Sequence, residues 1–144
     1  MKKAMDDLVL KVVARVTIPF IQVYGLYVVL HGHLSPGGGF AGGVILAGGF
    51  ILYALAYGRP ALDSLLPDRL AALLESGGVL WYTGLGLVGL LTGSAFLANA
   101  RAGFPLGVPG RLFSGGIVFL LNLGIGLKVA ATISTLFRNL QEEE

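Results

Sequence analysis

His31-Gly32-His33-Leu34-Ser35-Pro36-Gly37-Gly38-Gly39-Phe40-Ala41-Gly42-Gly43 stands between two long apolar runs. Both histidines of the chain, one of its six prolines and six of its 23 glycines fall in this stretch. Irregular backbone at membrane depth is tolerated only where it packs on protein or lines a wet cavity. The segment therefore predicts a junction between two membrane helices. It points to partners, to ion or proton passage, or to both.

Composition agrees with a membrane setting. Of 144 residues, 55% are hydrophobic and 12% charged, with mean hydropathy +0.81. A soluble domain carries about 25% charged residues. Four runs, about 12–34, 36–57, 79–98 and 115–137, reach the roughly 20 residues that cross a hydrocarbon core. The expected fold is an all-α membrane protein, one transmembrane domain over residues 1–144. A cleaved signal peptide is a poorer reading of the first run, which is too long and has no small-residue cleavage site before the His-Gly-His segment.

Charge sets the orientation. With four spans, both termini and the middle loop share one side, which holds Lys2, Lys3, Lys11, Arg15, Arg59, Arg69 and Arg138. The other side holds Arg101 and Arg111. The positive-inside rule then puts both termini in the cytoplasm and the His-Gly-His segment toward the outer face. A net charge of +2 scattered over segment ends is a topology signal, not a nucleic-acid patch. The absence of cysteine excludes disulfides, a thiol nucleophile and thiolate metal ligands.

The flanks read as follows. Met1 to Arg15 extends the first helix into the interface, its basic residues snorkelling. Pro19 is cheap near a helix start. Ser35-Pro36 has the form of an N-cap followed by proline at the first helical position. The three glycines Gly37, Gly38 and Gly39 weaken that first turn by about 1 kcal/mol each relative to alanine, so something must approach this backbone closely. In the middle loop, Leu66, Leu70, Leu73 and Leu74 share a face and Gly77-Gly78 ends the run, predicting a short amphipathic helix on the cytoplasmic surface or against a neighbour. The acidic tail Gln141-Glu142-Glu143-Glu144 reads as a solvated end.

Gly84-Leu85-Gly86-Leu87-Val88-Gly89 matches the dinucleotide fingerprint G-x-G-x-x-G, but it lies inside a span with no carboxylate after it until Glu142. Close helix packing accounts for it better, as for Gly89-x-x-x-Gly93, Gly39-x-x-x-Gly43 and Gly124-Ile125-Gly126. Asn122 is expected at a helix–helix contact. His31 and His33 lack the companion ligands of a metal site. They are left as hydrogen-bonding ties of the loop or as titrating groups in a proton path.

Lys128 poses the sharpest question. It stands nine residues before Phe137, about 13 Å along a helix. At that depth an ammonium costs about 2.5–3.5 kcal/mol unless paired or hydrated. The four predicted spans hold no carboxylate, so a counter-charge is expected from another subunit or from water. The alternative is that the helix ends near Ala131 and Lys128 marks the interface.

The run from Gly25 to Ala47, centred on His31-Gly32-His33-Leu34-Ser35-Pro36-Gly37-Gly38-Gly39-Phe40, resembles the signature of the B subunit of multi-subunit sodium/proton antiporters of the Mrp, or Mnh, type. The resemblance implies a small accessory subunit without catalytic activity of its own, and no cofactor. It would sit in the inner membrane of a bacterium or archaeon, among the other membrane subunits of a hetero-oligomer related to the complex I membrane arm, handling sodium ions and protons. It singles out Pro36 and Phe40, with His31 and His33 beside them, for assembly or transport. A similar subunit in energy-converting hydrogenases is the alternative, and a self-sufficient channel is a third.

Overall fold

The computed structural model describes the backbone of residues 2–142 and the side chains of residues 7–141; Glu143 and Glu144 of the predicted acidic end lie outside it. Its elements are α1 (Lys2–Leu30), α2 (Gly39–Tyr57), α3 (Arg59–Leu65), α4 (Asp68–Leu91), a 3₁₀ turn (Ala100–Ala102) and α5 (Ile117–Glu142). No strand occurs among the described residues. Four helices are long and apolar enough to span a membrane: Asp7–Leu30, Gly39–Tyr57, Asp68–Leu91 and Ile117–Gln141. The fold is all-α with four spanning helices, as expected.

The helices pack in the order α1, α2, α5, α4, with α2 between α1 and α5, and α4 against the far side of α5. Small residues allow this. The buried positions of α2 are Gly39, Gly42, Gly43, Ala47, Gly49, Ala54 and Ala56. A methyl at Gly43 would stand 2.6 Å from the Gly126 carbonyl oxygen, and one at Gly42 would meet Val29 and the Gly25 carbonyl. In lipid there is little hydrophobic drive between helices, so such close backbone approach supplies the packing.

Several boundaries differ from the sequence reading. The first span ends at Leu30, because His31 to Ser35 form turns in which the amides of Leu34 and Ser35 return to the His31 carbonyl. Pro19 is interior to α1, since the helix begins at Lys2. It removes one ladder bond there rather than sitting at a cheap helix start. Ser35 and Pro36 do not open α2; the cap is Gly38, at φ 96°, and the helix starts at Gly39. Ser35 Oγ instead donates to the His31 carbonyl at 3.1 Å, closing the end of α1.

The third span changes most. Residues 68–77 form no separate surface helix but are the first part of α4, which Pro67 precedes as its cap and which runs unbroken through Gly77-Gly78 to Leu91. Residues 92–98, predicted as its end, are turns. The middle loop does contain a short helix, α3, one segment earlier. Gly58, at φ 89°, turns the chain out of α2 into it. Leu62 and Leu66 then fold back into a small core with Ala54 and Ala71, flanked by Phe50, Leu74 and Phe137.

Candidate functional site

The glycine-rich junction is held from α5. Asn122 Oδ1 accepts a hydrogen bond from the Gly39 amide at 3.2 Å, satisfying one of the free donors that open α2. A methyl at Gly39 would lie 2.5 Å from the Asn122 carbonyl oxygen. Gly32 meets the Gly38 backbone as closely. The helix contact expected of Asn122 is thus made with backbone at Gly39; Gly37 and Gly38, at positive φ, precede α2 and so do not weaken its first turn as the sequence reading expects. Pro36 is exposed, and Phe40 is 66% exposed, so neither packs within the chain.

The two histidines diverge. His31 stacks on Tyr27, ring centroids 4.1 Å apart, and its Nδ1–H donates to the Tyr27 carbonyl at 3.1 Å. His33 reaches outward: Nε2 lies 3.4 Å from the Arg111 carbonyl, its ring meets Phe119 edge-on at 5.6 Å, and Nδ1 is buried without a hydrogen-bond partner. His33 thereby ties the α1–α2 junction to the long loop before α5. Asn99 fixes the other end of that loop. It accepts from the Ile117 amide at 3.1 Å and donates to the Gly115 carbonyl at 3.0 Å, capping α5. Among the described residues, no three His, Cys, Asp or Glu side chains gather as a metal site.

The glycine motifs separate into used and unused positions. Gly124 receives the Trp81 ring, whose Nε1–H donates to the Leu120 carbonyl at 2.9 Å, and Gly126 packs on Val29. Gly86 and Gly89 accommodate Phe96 and Ala95 of the following loop rather than a helix. Gly84 faces open space, and Gly93 lies beyond the end of α4 at φ 73°. The small-xxx-small reading of Gly89 and Gly93 therefore fails within the chain, because α4 has already ended.

The α4–α5 seam does not emerge from sequence patterning. Lys128 is half-buried in the middle of α5, which continues to Glu142, so the reading in which the helix ends near Ala131 does not hold. Its Cβ lies against Gly78 of α4. Glu75 sits one turn before Gly78 on α4, so a spanning helix does hold a carboxylate. Glu75 Oε1 is buried and has no hydrogen-bond partner, and the same is true of Thr132 Oγ1. At the near end of the seam Arg138, 2% exposed, places Nη1 2.9 Å from the Leu66 carbonyl, 2.8 Å from Asp68 Oδ1 and 3.3 Å from Asp63 Oδ1. A polar cavity of about 290 Å³ lies there, lined by Asp68, Glu75, Thr135, Arg138 and Asn139 among others. The signal that could have found Glu75 is its spacing from Asp68, two helical turns along one face.

Known proteins place this arrangement in context. A family model described as a domain related to the MnhB subunit of the Na+/H+ antiporter matches residues 9–135. The B subunit of a Na(+)/H(+) antiporter of Bacillus subtilis is 31% identical over 140 residues, 96% of each chain. An uncharacterized protein of Methanocaldococcus jannaschii is 38% identical over 117 residues, 77% of this chain and 43% of that protein. A chain of the membrane-bound sulfane sulfur reductase, an archaeal respiratory membrane complex, is 37% identical with a TM-score of 0.77, over 92% of this chain and 56% of its own. The chain thus spans about half the length of these last two, and nearly all of the Bacillus protein. On the match over residues 9–135 and these identities, the chain belongs to the family of domains related to the MnhB subunit of Na+/H+ antiporters.

Proposed function

We propose that the chain is an accessory membrane subunit, without catalytic activity of its own, of a sodium/proton antiporter complex. It forms a single transmembrane domain in the plasma membrane of a bacterium or archaeon, with both termini and α3 on the cytoplasmic side. The observation that carries this reading is the end-to-end match, at 31% identity, to the B subunit of the Bacillus antiporter. Two features support an accessory role. Large apolar side chains of α1 and α4, among them Phe20, Val23, Leu73 and Leu80, are exposed and suit lipid or other subunits. Phe40 and Gly84 are open at the surface, available to a partner helix.

In this reading His31, His33 and Lys128 belong to the ion or proton path or to its coupling, and Ser35 to Phe40 form the junction against which neighbouring subunits assemble. A second reading, the corresponding subunit of a redox-driven complex, is favoured by the 37% identity to the sulfane sulfur reductase chain.

Affinity purification of the chain from its native membrane in mild detergent, followed by mass analysis, separates these. Antiporter subunits in the eluate support the first reading, and cofactor-bearing redox subunits the second. If the purified chain alone exchanges sodium for protons in liposomes, the accessory role is wrong.

A further inference from the structure

We infer that the cleft between α1 and the start of α4 binds one anionic glycerophospholipid, with an acyl chain in the cleft and the phosphate on Lys11, Arg15 and Arg69. The inference goes beyond the antiporter reading and needs only that the four long helices span a membrane.

The cleft follows from the helix order. α1 and α4 flank the packed pair α2 and α5, and a cavity of about 450 Å³ opens between them. Phe50 of α2 and the buried Ala130 and Ala131 of α5 make its floor. Val23 and Leu26 of α1 form one wall; Leu65, at the end of α3, and Leu70 of α4 form the other. These four wall side chains are 70%, 50%, 52% and 41% exposed, so nothing in the chain fills the space between them. Gln22 is the polar side chain of the lining, and its Nε2 donates to the Leu46 carbonyl at 3.1 Å.

Volume decides between a helix and a lipid tail. One turn of α-helix, about 10 Å across and 5.4 Å tall, occupies about 420 Å³. The cleft would take a single turn of a neighbouring helix and no more. An acyl chain is narrower and apolar throughout, and it brings no backbone polar groups to satisfy in hydrocarbon.

Charge at the mouth selects the headgroup. The Tyr57 hydroxyl donates to the Lys11 carbonyl at 3.2 Å, which sets Lys11 level with the end of α2. Lys11, Arg15, Gln22 and Leu26 fall within about 60° of the α1 circumference at 3.6 residues per turn. Both bases therefore lie on the face that walls the cleft, with Arg15 about 10 Å along the helix from Gln22. Arg69 adjoins Leu70 in the first turn of α4, on the opposite wall. All three bases are exposed and, among the described residues, none is in an ion pair. The acids near Arg69, Asp63 and Asp68, are in contact with Arg138, and Asp7 stands one turn beyond Lys11, farther from the cleft. A basic mouth above an apolar cleft complements a phosphate ester with its acyl tail.

The test fuses native membranes containing the full chain with vesicles of phosphatidylglycerol or phosphatidylcholine that carry a photoreactive diazirine in the acyl chain. Mass spectrometry maps the adducts after illumination. Each base beside an anionic headgroup is worth roughly fivefold in binding. The phosphatidylglycerol probe should therefore label the cleft residues Val23, Leu26 and Leu70 at least about tenfold more than the phosphatidylcholine probe. Phe20 and Leu80, exposed away from the cleft, should be labelled about equally by the two. Arg15→Gln combined with Arg69→Gln removes surface charge only. It should bring the ratio at the cleft to within about twofold of that at Phe20 and Leu80, whose unchanged labelling shows that the fold is intact. Equal labelling of the cleft by both probes in the wild-type chain would reduce it to ordinary surrounding lipid. Labelling of Phe20 and Leu80 with none in the cleft would mean that a helix of another subunit covers it. A preference that survives the double substitution would show that these bases do not hold the phosphate. Each of the three results overturns the proposal.

Discussion

Arg138 Nη1 lies 2.8 Å from Asp68 Oδ1, yet the arginine is 2% exposed while the aspartate side chain is 92% exposed. The pair is therefore lopsided: the guanidinium depends on the contact more than the carboxylate does. Arg138 also satisfies the Leu66 carbonyl at 2.9 Å, so it fastens the return of α3 onto the end of α5. Arg138→Ala should orphan that carbonyl at about 1–3 kcal/mol, with lost packing in addition. Arg138→Lys cannot serve the same set of acceptors with one ammonium and should recover only part. Asp68→Asn should be the mildest of the three. Thermal unfolding of the detergent-solubilised chain ranks them.

Asn122 tests whether the junction is built from α5. Asn122→Leu keeps the volume but removes the acceptor for the Gly39 amide, a loss of about 1–3 kcal/mol. Asn122→Asp, measured in acid where its carboxyl is protonated, keeps a neutral Oδ1 acceptor and sacrifices only Nδ2, which has no partner. The aspartate variant should therefore unfold closer to wild type than the leucine variant. Equal destabilisation by both would mean that the hydrogen bond to Gly39 is not what holds α2.

Much of this architecture is legible in the sequence, and the exceptions share a physical cause. Four apolar runs and one glycine-rich break suffice to predict four helices and a tight junction between the first two. Gly77-Gly78 misleads because glycine ends helices in water, whereas between membrane helices it admits a neighbour; here Gly78 admits Lys128. Reading a stop there detaches residues 68–77 from α4 and leaves the third span without Glu75. Arg138 reads as an interfacial charge from composition alone. Its burial arises from α3 folding back over it, a tertiary event that local patterning does not encode. Conversely, Gly89 and Gly93 have the spacing of a packing motif but lack a helix to use it, since α4 ends at Leu91.

Two glycines of α2 should behave oppositely. Gly43→Ala places a methyl 2.6 Å from the Gly126 carbonyl oxygen and 2.8 Å from Val129 Cβ. Both neighbours are fixed to the α5 backbone, so the helices must separate, at a cost of about 1–3 kcal/mol for overpacking. Gly48→Ala meets nothing within 4 Å. It should be neutral or stabilise the helix by up to about 1 kcal/mol through propensity. Unfolding midpoints of the isolated chain measure the pair. A Gly48→Ala chain that is stable alone but no longer co-purifies with other subunits would place a partner on that face.

His33 and His31 should separate in a proteolysis experiment. His33 is bonded to the Arg111 carbonyl and packed on Phe119, while His31 bonds and stacks within the end of α1. Loss of the His33 ring frees the loop around Arg111, and locally opened backbone is where proteases cut. His33→Ala should accelerate trypsin cleavage after Arg111 severalfold, whereas His31→Ala should leave it near the wild-type rate. In sealed right-side-out vesicles that cleavage should proceed without permeabilisation if the proposed topology, with this loop on the outer face, holds. Cleavage only after permeabilisation would reverse the topology. An unchanged rate in His33→Ala would show that the Asn99 cap alone holds the loop.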